Sequence, residues 1–147
     1  MDPVVVRLLL VVAVVALAGV AGRWWQRRGR EVREGSGRFR PEELDAVGLD
    51  GQDAEVRALL LGSPACVPCR RVKEVLSEVA AQREGFRWVS VDAGDHLELT
   101  STHHVLRVPT LFVLARDGRI LARTSGVPAT RDLVHLVDQE SGRSAVA

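Results

Sequence analysis

The sequence predicts an α/β domain behind an N-terminal transmembrane helix. Three observations predict it. Helical and strand hydropathy patterns alternate between residues 41 and 140, one strand pattern runs into a Cys-x-x-Cys at a helix start, and residues 4–21 are apolar or glycine at every position but Arg7. The formal charge of +1 over 147 residues conceals a segregation: residues 23–40 carry seven arginines against Glu31 and Glu34, whereas residues 41–147 are net acidic. These shifts divide the chain into a membrane anchor at 1–22, a basic linker at 23–40 and a folded domain at 41–147. An acidic domain is a poor partner for nucleic acid, whose affinity comes largely from cations neutralising phosphates. Two cysteines are too few for a stapled scaffold, which leaves them a chemical role.

The apolar segment of residues 4–21, if helical, is about 27 Å long, close to the thickness of a bilayer core. Arg7 lies near its start, where a long side chain can snorkel, and Trp24 and Trp25 fall where an interfacial aromatic belt belongs. The rival is a cleaved signal peptide, with Ala16-Leu17-Ala18 as a small-x-small cleavage site. The arginines that follow oppose it, because a basic cluster directly behind a hydrophobic segment resists translocation. The same asymmetry orients an uncleaved helix with the domain on the cytoplasmic side; export is the alternative. The glycines and charges of residues 26–40 read as a solvated spacer that carries this topology signal.

Beyond the spacer, Pro41-Glu42-Glu43-Leu44 opens a helix with proline in the first turn and acids at the positive end of the dipole. Residues 55–61 end in three leucines before Gly62-Ser63-Pro64, as expected of a strand buried on both faces. After Cys66-Val67-Pro68-Cys69, the residues Val72, Val75, Leu76, Val79 and Ala80 line one helical stripe. Residues 86–91 form the next strand, with Trp88 as a core residue on a central strand. A weak helix follows at 95–105. Residues 110–114 and 120–124 make a hairpin around Asp117-Gly118, and Thr130 caps a last helix carrying Leu133, Leu136 and Val137.

The cysteine motif has a direct chemical meaning. A thiolate, not a thiol, attacks a disulfide sulfur, and a cysteine at a helix N-terminus is helped to ionise by unpaired N–H groups and the dipole. Cys66 is therefore the expected nucleophile, and Cys69 the thiol that resolves a mixed disulfide. Pro68 suits the first turn, where its missing N–H costs nothing. Arg70 and Arg71 read as solvated helix residues.

With Cys66-Val67-Pro68-Cys69 at a helix start, Val108-Pro109-Thr110 opening the hairpin strand and Gly126 just past its end, the region 41–140 resembles the thioredoxin family. The resemblance implies a three-layer fold, a central mixed sheet flanked by helices. It further implies a cis Val108–Pro109 bond that faces the cysteines and lets nearby backbone pair with an extended substrate segment, with Val67, Pro68 and Thr110 as supporting motif positions. Substrates would be proteins with disulfides.

Three departures stand out. Ala65 precedes the first cysteine where the family often has tryptophan, Leu60 stands where many members bury an acid, and Trp88 lies near the place of that acid's usual lysine partner. Proton transfer at Cys69 then falls to water or another group.

Other chemistries lack support. His96, His103, His104 and His135 do not extend the Cys-x-x-Cys into a zinc-ligand spacing, so no metal is expected. No nucleotide-binding glycine motif is present, no cofactor is implied, and electrons must come from a redox partner protein or a small thiol. The expected function is a membrane-tethered thiol–disulfide oxidoreductase. Its alternatives are a non-catalytic docking module of the same fold and an exported disulfide oxidoreductase.

Overall fold

The computed structural model describes residues 2–28, 33–51 and 53–146. Helix α1 (Pro3–Arg28) contains an apolar stretch, Pro3–Trp24, long enough to cross a membrane and exposed along its length. Residues 29–32 of the expected linker lie outside the described residues, as does the side chain of Trp25.

Five strands form one mixed sheet in the order β1-β5-β4-β2-β3. The elements are β1 (Arg33–Glu34), α2 (Pro41–Ala46), β2 (Val56–Gly62), α3 (Val67–Gln82), β3 (Phe86–Asp92), α4 (Leu97–Thr102), β4 (Thr110–Ala115), β5 (Ile120–Ser125) and α5 (Thr130–Val146). Strands β2 and β3 are parallel, and the other pairings are antiparallel. The predicted order of elements after residue 40 is the observed one, and the sheet with flanking helices is the three-layer arrangement expected.

The period of two along the central strands builds two cores. Val56, Ala58 and Leu60 of β2 meet Leu111 and Val113 of β4 beneath the stripe Val72, Val75, Leu76 and Val79 of α3 and Leu133 and Val137 of α5. On the opposite face Leu59, Leu61, Phe112 and Leu114 pack with Phe39, Leu44 and Leu49 and with Leu99 of α4. Each buried valine, leucine or phenylalanine among them contributes about 1.5–3 kcal/mol by leaving water. Arg57, buried within β2, donates to the carbonyls of Leu49 and Arg116.

Three expectations need correction. The domain does not begin at residue 41. Arg33 and Glu34 pair with Arg123 and Ala122, the Phe39 N–H donates to the Gly118 carbonyl over 2.9 Å, and the Phe39 side chain is 1% exposed. A Cβ at Gly35 would lie 2.1 Å from Ile120 Cγ2, so a glycine of the supposed spacer is what lets the segment lie against β5. Arg38 pairs with Asp117, and Arg40 with Glu42 and Glu43, so two of the seven linker arginines serve the domain's own ion pairs. Trp88 sits on the edge strand β3, half-buried against the core. Thr130 is the first residue of α5 rather than its cap: the Ala129 carbonyl accepts the first helical bonds, while the Thr130 hydroxyl donates to Glu78 over 3.0 Å.

The face of the sheet that carries α2 and α4 also holds a small polar cluster. The His103 ring stacks on Phe39 at 3.8 Å and 7°, and its Nε2 lies 3.3 Å from Glu43 Oε1. The Arg40 backbone N–H donates to Glu43 Oε2 over 2.7 Å. Burial pushes the Glu43 carboxyl up, but hydrogen bonds from the Arg40 N–H and guanidinium, with the His103 imidazole close by, outweigh it and hold the group below its ordinary range.

Candidate active site

Strand β2 ends at Gly62, and a tight turn closed by the Cys66 N–H on the Ser63 carbonyl, 3.1 Å, delivers the chain to α3. Cys66 is the N-cap of that helix, with extended backbone (φ −79°, ψ 95°). Val67 and Pro68 fill the first turn, which contains no acid to oppose a negative sulfur. Cys66 and Cys69 are joined as a disulfide, with their Cα atoms 5.3 Å apart.

The two sulfurs occupy different surroundings. Cys66 is half-buried at the surface, whereas Cys69 is 4% exposed in the inner wall of α3. A Cβ at Gly62 would stand 3.0 Å from Cys69 Sγ, so glycine at the strand end is what leaves room for the inner sulfur. Sequence reasoning used Gly62 only as a strand terminator. The signal lay in the abrupt loss of side-chain volume after three buried leucines.

The Val108–Pro109 bond is cis. Antiparallel pairing of β2 with β4 sets Leu61 opposite Thr110, so the loop ending in Pro109 lies at the same end of the sheet as the strand end that leads to Cys66. Thr110 Oγ1 donates to the Arg107 carbonyl over 2.7 Å, and the Gly126 N–H donates to the Pro109 carbonyl over 3.1 Å, tying the loop to the end of β5. Pro109 is buried, Val108 is 37% exposed, and Leu106 and Val67 present apolar side chains to solvent, 90% and 71% exposed.

A family model described as Thioredoxin matches residues 56–139. The chain belongs to the thioredoxin family. It is 30% identical over 80 residues to Thioredoxin 1 of Nostoc sp., covering 53% of this chain and 75% of that one. A Listeria monocytogenes thioredoxin is 28% identical over 75 residues, covering 50% and 72%. Among solved structures, a variant of Halobacterium salinarum thioredoxin superposes with a TM-score of 0.56 at 26% identity, covering 71% of this chain and 86% of that one. Chloroplastic thioredoxin z does so at 0.58 with 22% identity, covering 76% and 96%, a likeness of fold. Membership of the thioredoxin family places the cysteine pair, at that general level, in thiol–disulfide oxidoreduction.

The family's departures in this chain also have places. Leu60 is fully buried in the layer under α3 and α5, and Ala65 is exposed beside Cys66. His96 sits at the N-cap of α4, His104 takes a left-handed turn (φ 49°) after that helix, and His135 is exposed on α5. Among the described residues, no three His, Cys, Asp or Glu side chains converge as metal ligands.

Proposed function

We propose that this thioredoxin-family protein is a membrane-tethered oxidoreductase that reduces or exchanges protein disulfides through Cys66 and Cys69. The observation that carries the reading is the asymmetry of the pair, a half-buried cysteine at a helix N-terminus bonded to a fully buried one. A donor dithiol first reduces the Cys66–Cys69 bond with two electrons, becoming a disulfide itself. The Cys66 thiolate then attacks a substrate disulfide; a Cys66–substrate bond forms, and the first substrate sulfur leaves as thiolate. The Cys69 thiolate attacks Cys66 Sγ next, which restores the internal disulfide and releases the second substrate thiolate. Two electrons pass to substrate in each cycle. With Leu60 in the core beneath α3, water is the simplest carrier for the proton of Cys69.

The cis-proline loop supports recognition of an extended substrate segment by the backbone beside Val108, with Val67 and Leu106 as flanking apolar contacts. In membranes, the full chain is expected to accelerate insulin reduction by dithiothreitol, and alkylation of the reduced protein should remove the acceleration. A rate equal to that of dithiothreitol alone would overturn the assignment.

Helix α1 supports tethering, and the basic residues after Trp24 support a cytoplasmic domain. Ser36 is exposed, which makes it a reporter. In a chain whose own cysteines are replaced by serine, Ser36→Cys should resist an impermeant maleimide in intact cells and label once they are opened. Labelling of intact cells would place the domain outside.

A further inference from the structure

The polar cluster on the α2 and α4 face is not used by the two-cysteine chemistry, yet it ends where the substrate loop begins. His103 directly follows α4, and residues 103–109 lead into the cis bond. Four side chains grip that junction. The His103 ring is stacked on Phe39, edge-on to Phe112 at 5.8 Å, with Nε2 against Glu43. From β5, the Arg123 guanidinium donates to the His103 carbonyl over 2.9 Å and to the His104 carbonyl over 2.7 Å. These carbonyls close the C-terminal end of α4, where a cation with two donors satisfies groups the helix leaves unpaired. Arg123 is itself held over the Phe112 ring at 5.0 Å. The loop is pinned at its far end by Thr110 and Gly126.

We propose that His103 and Arg123 are positioning residues for substrate binding: with Phe39 and Glu43 they fix the start of the loop that ends in Pro109, and so hold the Val108 backbone ready to pair with an extended protein segment. The inference rests on the reading of Val108 and Pro109 as the substrate loop. It separates two kinds of substrate. A small disulfide needs only the Cys66 sulfur, whereas a protein segment also needs the loop in register, and binding by a displaced loop carries an ordering cost.

The test uses the full chain in membranes, with insulin and hydroxyethyl disulfide as alternative substrates. His103→Ala and Arg123→Ala are each expected to raise KM for insulin about tenfold, while the rate with hydroxyethyl disulfide and the alkylation midpoint of Cys66 stay within about twofold of the parent. Arg123→Lys, which keeps a cation at the two carbonyls, should recover part of the loss. Equal effects on both substrates, whether none or a shared collapse, would overturn the proposal, and measuring Arg123→Lys beside the alanine variants keeps the comparison decisive if one of them unfolds. A parent chain that reduces hydroxyethyl disulfide and leaves insulin untouched would instead overturn the substrate-loop reading, and this inference with it.

Discussion

Replacing Cys66 with serine is expected to abolish turnover of protein disulfides, a loss of about a thousandfold or more, because a serine hydroxyl is not ionised at neutral pH and forms no disulfide. Replacing Cys69 with serine is expected to spare the attack and block its resolution, so that covalent Cys66–substrate adducts accumulate. The structure supplies a physical reason for this order of roles: Cys66 is accessible at the N-cap of α3, and Cys69 is 4% exposed against Gly62. A bulky substrate sulfur can reach the first and not the second. Non-reducing gels of the two variants, after alkylation in membranes, read the result. Adducts on the Cys66→Ser chain and none on the Cys69→Ser chain would reverse the roles. The N-terminal position of Cys66 also predicts that its alkylation follows a midpoint below the ~8.5 of a free cysteine, and an ordinary midpoint would remove the helix N-terminus from the explanation.

The sequence made the strands and helices around this pair legible because their signals are periodic and unmixed. The α3 stripe from Val72 to Val79 and the leucines of β2 admit few other structures, and both land in the core. The cysteines and Pro109 were legible because few residue types serve their chemistry. What stayed hidden depends on contacts across long separations. Strand β1 is two residues long, and the segment containing it buries a single aromatic among arginines and glycines, so its hydropathy matches that of a solvated spacer. His103 has no distinguishing neighbour in the chain; only folding brings Phe39 and Glu43 to it. The edge position of Trp88 was hidden because a strand's apolar content does not tell whether one or two neighbours pair with it, and β3 has one.

Phe39→Ala is expected to destabilise the domain by about 3–5 kcal/mol, a large share of the ~5–15 kcal/mol typical of a folded domain. The side chain is fully enclosed, stacked on His103 and edge-on to Phe112 at 5.2 Å, so truncation leaves a cavity and dissolves two ring contacts at once. Thermal unfolding of the full chain, followed by tryptophan fluorescence, should show a midpoint lower by about 10 °C or more. Phe39→Leu should lose much less. A spacer at residues 23–40 would tolerate both changes, and an unchanged midpoint in Phe39→Ala would return the segment to that role. The outcome bears on function because it sets the length of the tether. With residues 33–40 folded against β5, eight residues, 25–32, separate the apolar stretch that ends at Trp24 from the domain, and so few residues reach at most about 30 Å. Under the proposed anchoring, a tether this short keeps Cys66 within a domain's width of the bilayer, where disulfides of membrane-associated proteins meet it at high effective concentration and those of freely diffusing proteins do not.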